Sequence, residues 1–102
     1  PALPNGSCTP EQHAALEAEK KAACNRPHSC AGSKSKNETC DEVEAKIRVA
    51  DECITARVEV MDTCFQGGDA AHWNEVEKEL KAKRTCTECK AKKEAAQCRA
   101  SE

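Results

Sequence analysis

The chain has 102 residues, a net charge of −2, a third of its residues charged and only two aromatic side chains, Phe65 and Trp73. That length fits one domain spanning 1–102, and no stretch is long and apolar enough to cross a membrane. The composition excludes a conventional oily core, because the few large apolar side chains would struggle to offset the ordering entropy of the chain.

Nine cysteines are the remaining source of stability, a density that marks a disulfide scaffold matured in an oxidising compartment. The odd count leaves at least one thiol free, buried or paired between chains. Residues 1–8, with Pro1, Pro4, Asn5 and Gly6, read as an irregular lead-in without the hydrophobic segment of a signal peptide. The chain therefore reads as a mature fragment or the end of a larger polypeptide.

Thr9-Pro10-Glu11-Gln12 predicts a helix start: Thr9 caps, Pro10 fits the first helical position and Gln12 completes a capping box. This first helix is expected over 10–24, with Leu16 its one long apolar residue. Pro27 ends it, by disfavouring helical geometry in the residue before. A Ser-, Gly- and Lys-rich loop to about Asn37 follows, anchored by Cys30. Asn37 or Thr39 caps a second helix expected over 40–66, and Thr39 with Glu42 forms a capping box. Val43, Ile47, Ala50, Ile54, Val58, Met61 and Phe65 recur at steps of three and four, which predicts its buried stripe, with Cys53, Val60 and Cys64 beside it.

Gly67-Gly68 ends that helix, one of the two in a left-handed conformation. Asp69 caps a third helix expected over 70–99, with Trp73, Val76 and Leu80 buried at its start. Beyond Leu80 only alanines, lysine stems and cysteines remain to pack it. The fold class is thus all-α, a long antiparallel hairpin plus an N-terminal helix. Two arms rising equally from a turn near residues 68–69 set Cys53 opposite Cys86 and Cys40 opposite Cys98, so Cys53–Cys86 and Cys40–Cys98 are the expected rungs. Cys8, Cys24, Cys30, Cys64 and Cys89 stay unpaired at this stage, with Cys24 or Cys30 plausible against Cys64 or Cys89.

Cys86-Thr87-Glu88-Cys89 has redox or zinc spacing, but it lies mid-helix and lacks a second ligand pair, so two separate structural bridges are expected. No metal ligand set and no cofactor is expected. Of the three histidines, His13 is expected to face solvent on its alanine-rich helix and His28 to be exposed in its loop. His72 follows Asp69 by three residues, which has two readings. In one, Asp69 is only a cap and His72 a first-turn residue. In the other, Asp69 orients the imidazole as a general base or acid. Charge is lopsided: residues 38–66 carry eight acids and three bases, 76–102 eight bases and five acids. Lys78, Lys81 and Arg84 are candidate phosphate contacts; the plainer account is attraction between an acidic and a basic helix.

Cys53-Ile54-Thr55-Ala56-Arg57, Asp62-Thr63-Cys64-Phe65, Gly67-Gly68-Asp69-Ala70-Ala71-His72 and the cysteine-terminated Ala/Lys helix together resemble the cysteine-rich helical toxin domains of bacterial polymorphic toxins, of the novel toxin sixteen type. Pro27-His28-Ser29-Cys30-Ala31-Gly32-Ser33 resembles the family's Ser-Cys-Ser-Gly loop. The resemblance covers roughly residues 24–86. Ala71 stands where the family pattern has Gly and Trp73 where it has Arg, so a basic group beside the histidine is missing.

The resemblance implies an antibacterial effector domain at the C-terminus of a delivery protein (Rhs-repeat, VgrG or PAAR, of type VI secretion). It also implies a cognate immunity protein, delivery into a target bacterial cell and nuclease activity. With magnesium ligands scarce, metal-independent RNA cleavage by His72 and Asp69 fits best. The alternatives are a non-enzymatic, disulfide-rich interaction domain acting in the envelope or outside the cell, favoured by the cysteine density, and a secreted helical ligand.

Overall fold

The computed structural model describes residues 8–32 and 36–96. Three helices follow one another: α1, Pro10–Cys24; α2, Cys40–Cys64; and α3, Ala70–Ala96. Among the described residues there is no strand, so the all-α expectation stands. Both capping boxes form. Thr9 Oγ1 accepts from the Gln12 amide at 3.1 Å while Gln12 accepts from the Thr9 amide at 2.8 Å. Thr39, rather than Asn37, caps α2 through the same exchange with Glu42.

α2 is the shared middle of the molecule, with α1 packed along it and α3 folded back against it. Its buried residues are therefore Val43, Ala50, Cys53, Val60, Met61 and Cys64. Ile47, Ile54 and Val58, expected in the buried stripe, are only half-buried. Two neighbours grip α2 from different directions, so its covered surface is wider than a single stripe and includes the flank that carries the cysteines. Trp73 departs from expectation as well: it is 47% exposed, held at the turn by its indole N–H donating to the Gly67 carbonyl at 3.0 Å.

The turn uses three successive residues of positive φ, Gln66 (52°), Gly67 (90°) and Gly68 (88°). The Met61 carbonyl accepts from the amides of both Phe65 and Gly67, each at 3.0 Å. Gly68 is also tightly approached: a Cβ there would lie 2.6 Å from Met61 Cε, so the Met61 side chain would have to shift.

The cysteine pairing corrects the expected rung. Cys53 bonds Cys24 and Cys86 bonds Cys30, while Cys8 bonds Cys64. The reason is register. The cross-hairpin ion pairs Asp51–Lys83 (2.7 Å) and Glu44–Lys90 (2.6 Å) are both centred on Gly67, whereas a Cys53–Cys86 rung would be centred between Asp69 and Ala70. That offset puts the two cysteines about 7 Å apart along the helix axes, outside the reach of a bridge. Each sulfur instead meets a third element, α1 for Cys53 and the α1–α2 loop for Cys86.

The bridges thus clamp α1 antiparallel along α2 at both ends and tie the loop to α3. The plausible pairings of Cys24 or Cys30 with Cys64 or Cys89 do not occur. Cys89 is the free thiol among the described residues, half-buried beside the Cys30–Cys86 bridge, so the C-x-x-C pair supplies one bridge and not two. Cys40 is disulfide-bonded; its expected partner Cys98 lies outside the described residues, as does the end of α3 beyond Ala96.

The acidic and basic helices attract each other as the plainer account held. Lys90 holds the Glu44 carboxyl below its usual range, chiefly by the hydrogen bond it donates, and is itself raised by that contact. No helix among the described residues is long and apolar enough to cross a membrane.

Candidate functional site

The diglycine turn delivers Asp69 and His72 to one rim of a cleft of about 560 Å³ between the start of α1, the end of α2 and the start of α3. Asp69 is the N-terminal cap of α3: its Oδ1 accepts from the His72 backbone amide at 3.0 Å. The same oxygen lies 2.8 Å from His72 Nδ1. These two contacts, the amide first and the ring second, hold the Asp69 carboxyl below its usual range although it is solvent-exposed. An ionised carboxylate only accepts, so Nδ1 carries the hydrogen, and in the neutral ring it is Nε2 that holds the lone pair. The cap and the orienting contact are therefore made by one oxygen, and the two readings of this pair coexist.

Phe65, last residue before the turn, forms the floor. Its ring lies tilted against His72 at a centroid distance of 4.4 Å and makes a T-shaped contact with His13 at 5.5 Å. His13 was expected in solvent; it is half-buried, because the Cys8–Cys64 bridge and the packing of Leu16 on Val60, Cys64 and Phe65 press that face of α1 onto α2. Two imidazoles thus flank one phenyl ring, less than about 10 Å apart by the two centroid distances. His13 Nε2 lies 3.7 Å from Glu17, which also pairs with Lys20 at 2.8 Å.

The cleft's cations are Lys20, Lys21 and Arg57, and the carboxylates of Glu17, Asp69 and Glu75 line it with them. Arg57 sits 4.0 Å from Glu79 and its Nε is buried without an acceptor. The candidate phosphate contacts on α3 lie elsewhere: Lys78, Lys81 and Arg84 are exposed and none lines the cleft, Lys78 pairing with Glu75 at 3.3 Å. His28, expected exposed, is half-buried against Glu79 at 2.6 Å on the far side of Arg57.

Sequence reasoning missed His13 and Arg57, and a signal existed for each. His13 shares a helix face with Leu16, Lys20 and Cys24, the only face of α1 with anything to bury. Arg57 stands four residues from both Cys53 and Met61, a charge on the most buried line of α2.

The cleft joins an oriented imidazole, a second imidazole, an aromatic floor and three cations, a set that can move protons at an anionic ester held between them. Among known proteins, a family model described as Novel toxin 16 matches residues 4–89. No curated protein and no solved structure matches the chain.

Proposed function

The chain belongs to the Novel toxin 16 family, and from that premise we propose that it is the toxin domain of an interbacterial competition effector that cuts RNA without a metal. The observation that carries this reading is the pairing of His13 and His72 across Phe65 in a cleft lined by Lys20, Lys21 and Arg57.

RNA is the substrate that two imidazoles can cut unaided, because its own 2′-hydroxyl is the nucleophile. His72 Nε2, freed for the task by the Asp69 contact at Nδ1, takes the 2′-hydroxyl proton. The 2′-oxygen attacks phosphorus and the bond to the 5′-oxygen breaks. His13, as imidazolium, returns a proton to that leaving oxygen, and a 2′,3′-cyclic phosphate remains. Lys20, Lys21 and Arg57 neutralise the charge that builds on the phosphoryl oxygens. Lys78, Lys81 and Arg84 act as an outer basic surface that draws the strand in rather than touching the scissile phosphate.

A toxin of this kind is made behind a delivery protein, enters a target bacterial cell and is neutralised in its producer by a dedicated immunity protein. The test is growth arrest and RNA integrity in a sensitive bacterium expressing the domain in its cytoplasm. His72→Ala and His13→Ala should each abolish arrest, with the protein still folded. Full toxicity in both variants would sink the reading. Arrest only when the domain is sent to the periplasm would favour the envelope-acting interaction domain that the cysteine density supports.

A further inference from the structure

Behind Arg57 a second cluster forms where α1, the α1–α2 loop, α2 and α3 converge. His28, Cys53 and Glu79 each present a ligating atom there, and these atoms lie within 4.8 Å of one another. Cys53 is fully buried and Glu79 and His28 are 13% and 17% exposed at their side chains. Cys24 adjoins them through its bridge to Cys53, with the two Cα atoms 4.6 Å apart.

The hydrogen bonding of His28 points to a cation. Nδ1 lies 2.6 Å from the Arg26 carbonyl and Nε2 2.6 Å from a Glu79 carboxylate oxygen. Both neighbours are acceptors, so a neutral imidazole with its one hydrogen on Nδ1 turns a bare Nε2 lone pair towards a carboxylate. A metal ion taken up between the two as they part removes that opposition. A ring nitrogen donating to a backbone carbonyl while its other nitrogen ligates is the usual arrangement of a metal-bound histidine. Arg57, at 4.0 Å from the other Glu79 oxygen, supports that carboxylate from outside.

We propose that reduction of the Cys24–Cys53 bridge converts this cluster into a zinc site with Cys24 Sγ, Cys53 Sγ, His28 Nε2 and a Glu79 oxygen as ligands. The reductant is a small thiol or dithiol of a reducing compartment. Two of its thiol groups give up their hydrogens and electrons to form its own disulfide, and Cys24 and Cys53 become thiols. Zinc then displaces both thiol protons to solvent and is held by two thiolates, one imidazole and one carboxylate, a tetrahedral set of familiar donors. Ligand atoms around zinc stand about 3.3–3.8 Å apart, so His28 Nε2 and the Glu79 oxygen, now 2.6 Å apart, must part by about 0.7 Å, while the widest gap in the cluster, within 4.8 Å, closes by roughly an ångström.

The consequence is continuity of fold. The ion joins the elements that the bridge joined, so a domain matured under oxidising conditions keeps this corner after entering a cell whose thiols open disulfides. The inference stands on the cluster itself and not on RNA cleavage.

The test is competition for zinc between the purified protein and a chromophoric chelator, with and without a phosphine reductant, alongside circular dichroism. One zinc per chain is expected after reduction and none before. His28→Ala and Glu79→Gln should each weaken it at least tenfold, the loss that even outer-shell changes produce, whereas Cys86→Ala should leave it unchanged. Cys24→Ala, kept without reductant so that Cys8–Cys64 and Cys30–Cys86 stay closed, retains three ligands and should bind zinc where the oxidised parent does not. The proposal is overturned if reduced His28→Ala and Glu79→Gln bind as tightly as the parent, meaning scattered thiols hold the metal. It is equally overturned if folded Cys24→Ala binds none.

Discussion

Two of the bridges span the same length of chain, 56 residues, yet they do different work. Removing either as a double alanine substitution, Cys8→Ala/Cys64→Ala or Cys30→Ala/Cys86→Ala, releases a loop of the same length in the unfolded chain. In the chain-entropy account that costs about 4 kcal/mol. At about 2.1 cal/mol/K of unfolding entropy per residue, a domain of this size loses roughly 20 °C in Tm. Cys64 and Cys86 are both fully buried, whereas Cys30 is buried and Cys8 only half-buried, so the second variant carries the larger cavity cost. Function separates the two. Cys8–Cys64 anchors the start of α1, five residues before His13, whereas Cys30–Cys86 holds the loop against α3. Measured below both melting temperatures, RNA cleavage should fall steeply in Cys8→Ala/Cys64→Ala and little in Cys30→Ala/Cys86→Ala. Equal activity in the two would refute the claim that α1 supplies part of the site.

Asp69→Asn tests the cap against the catalytic role. Asn caps as well as Asp and its amide oxygen can still accept from Nδ1, but it carries no charge to stabilise the imidazolium that His72 becomes, so cleavage should drop, by up to about 10²-fold, while helicity stays. The Asp69 carboxyl is lowered in the folded state, so its contribution to stability is present above its unfolded value and lost as pH falls through the lower folded one. The Tm gap between parent and Asp69→Asn should therefore open as pH rises through about 4 and vanish in stronger acid; a gap independent of pH contradicts this. Gly67 and Gly68 share a φ near 90°, but only Gly68 faces Met61. Gly67→Ala should cost about 1–3 kcal/mol by strain and Gly68→Ala distinctly more, read by denaturant unfolding; equal losses would mean Met61 swings aside freely. Arg57→Gln should cut kcat, whereas Lys78→Gln/Lys81→Gln/Arg84→Gln should mainly weaken RNA binding and flatten its salt dependence. The reverse pattern would move the phosphate site onto α3.

What was legible in the sequence was local. Thr9 and Thr39 announce helix starts through partners three residues on, Gly67-Gly68 announces a reversal, and Asp69 announces the next cap. Each of these depends on neighbours along the chain, and each forms as expected. The oriented half of the site, Asp69 with His72, was legible for the same reason. What depends on a third body was not. Symmetric counting about the turn ignored the chain consumed by Gln66, Gly67 and Gly68, and it left out α1 and the loop as competitors for Cys53 and Cys86. His13 joins the candidate site only because a bridge and one leucine lay α1 across Phe65. Trp73 stayed exposed because its N–H found the Gly67 carbonyl at the turn, with no core beside it.

The most direct measurement is product analysis of a defined RNA incubated with the oxidised protein in the presence of a metal chelator. The account predicts cuts ending in 2′,3′-cyclic phosphate, lost in both His13→Ala and His72→Ala. Intact RNA, or the same fragments from both variants, would contradict it.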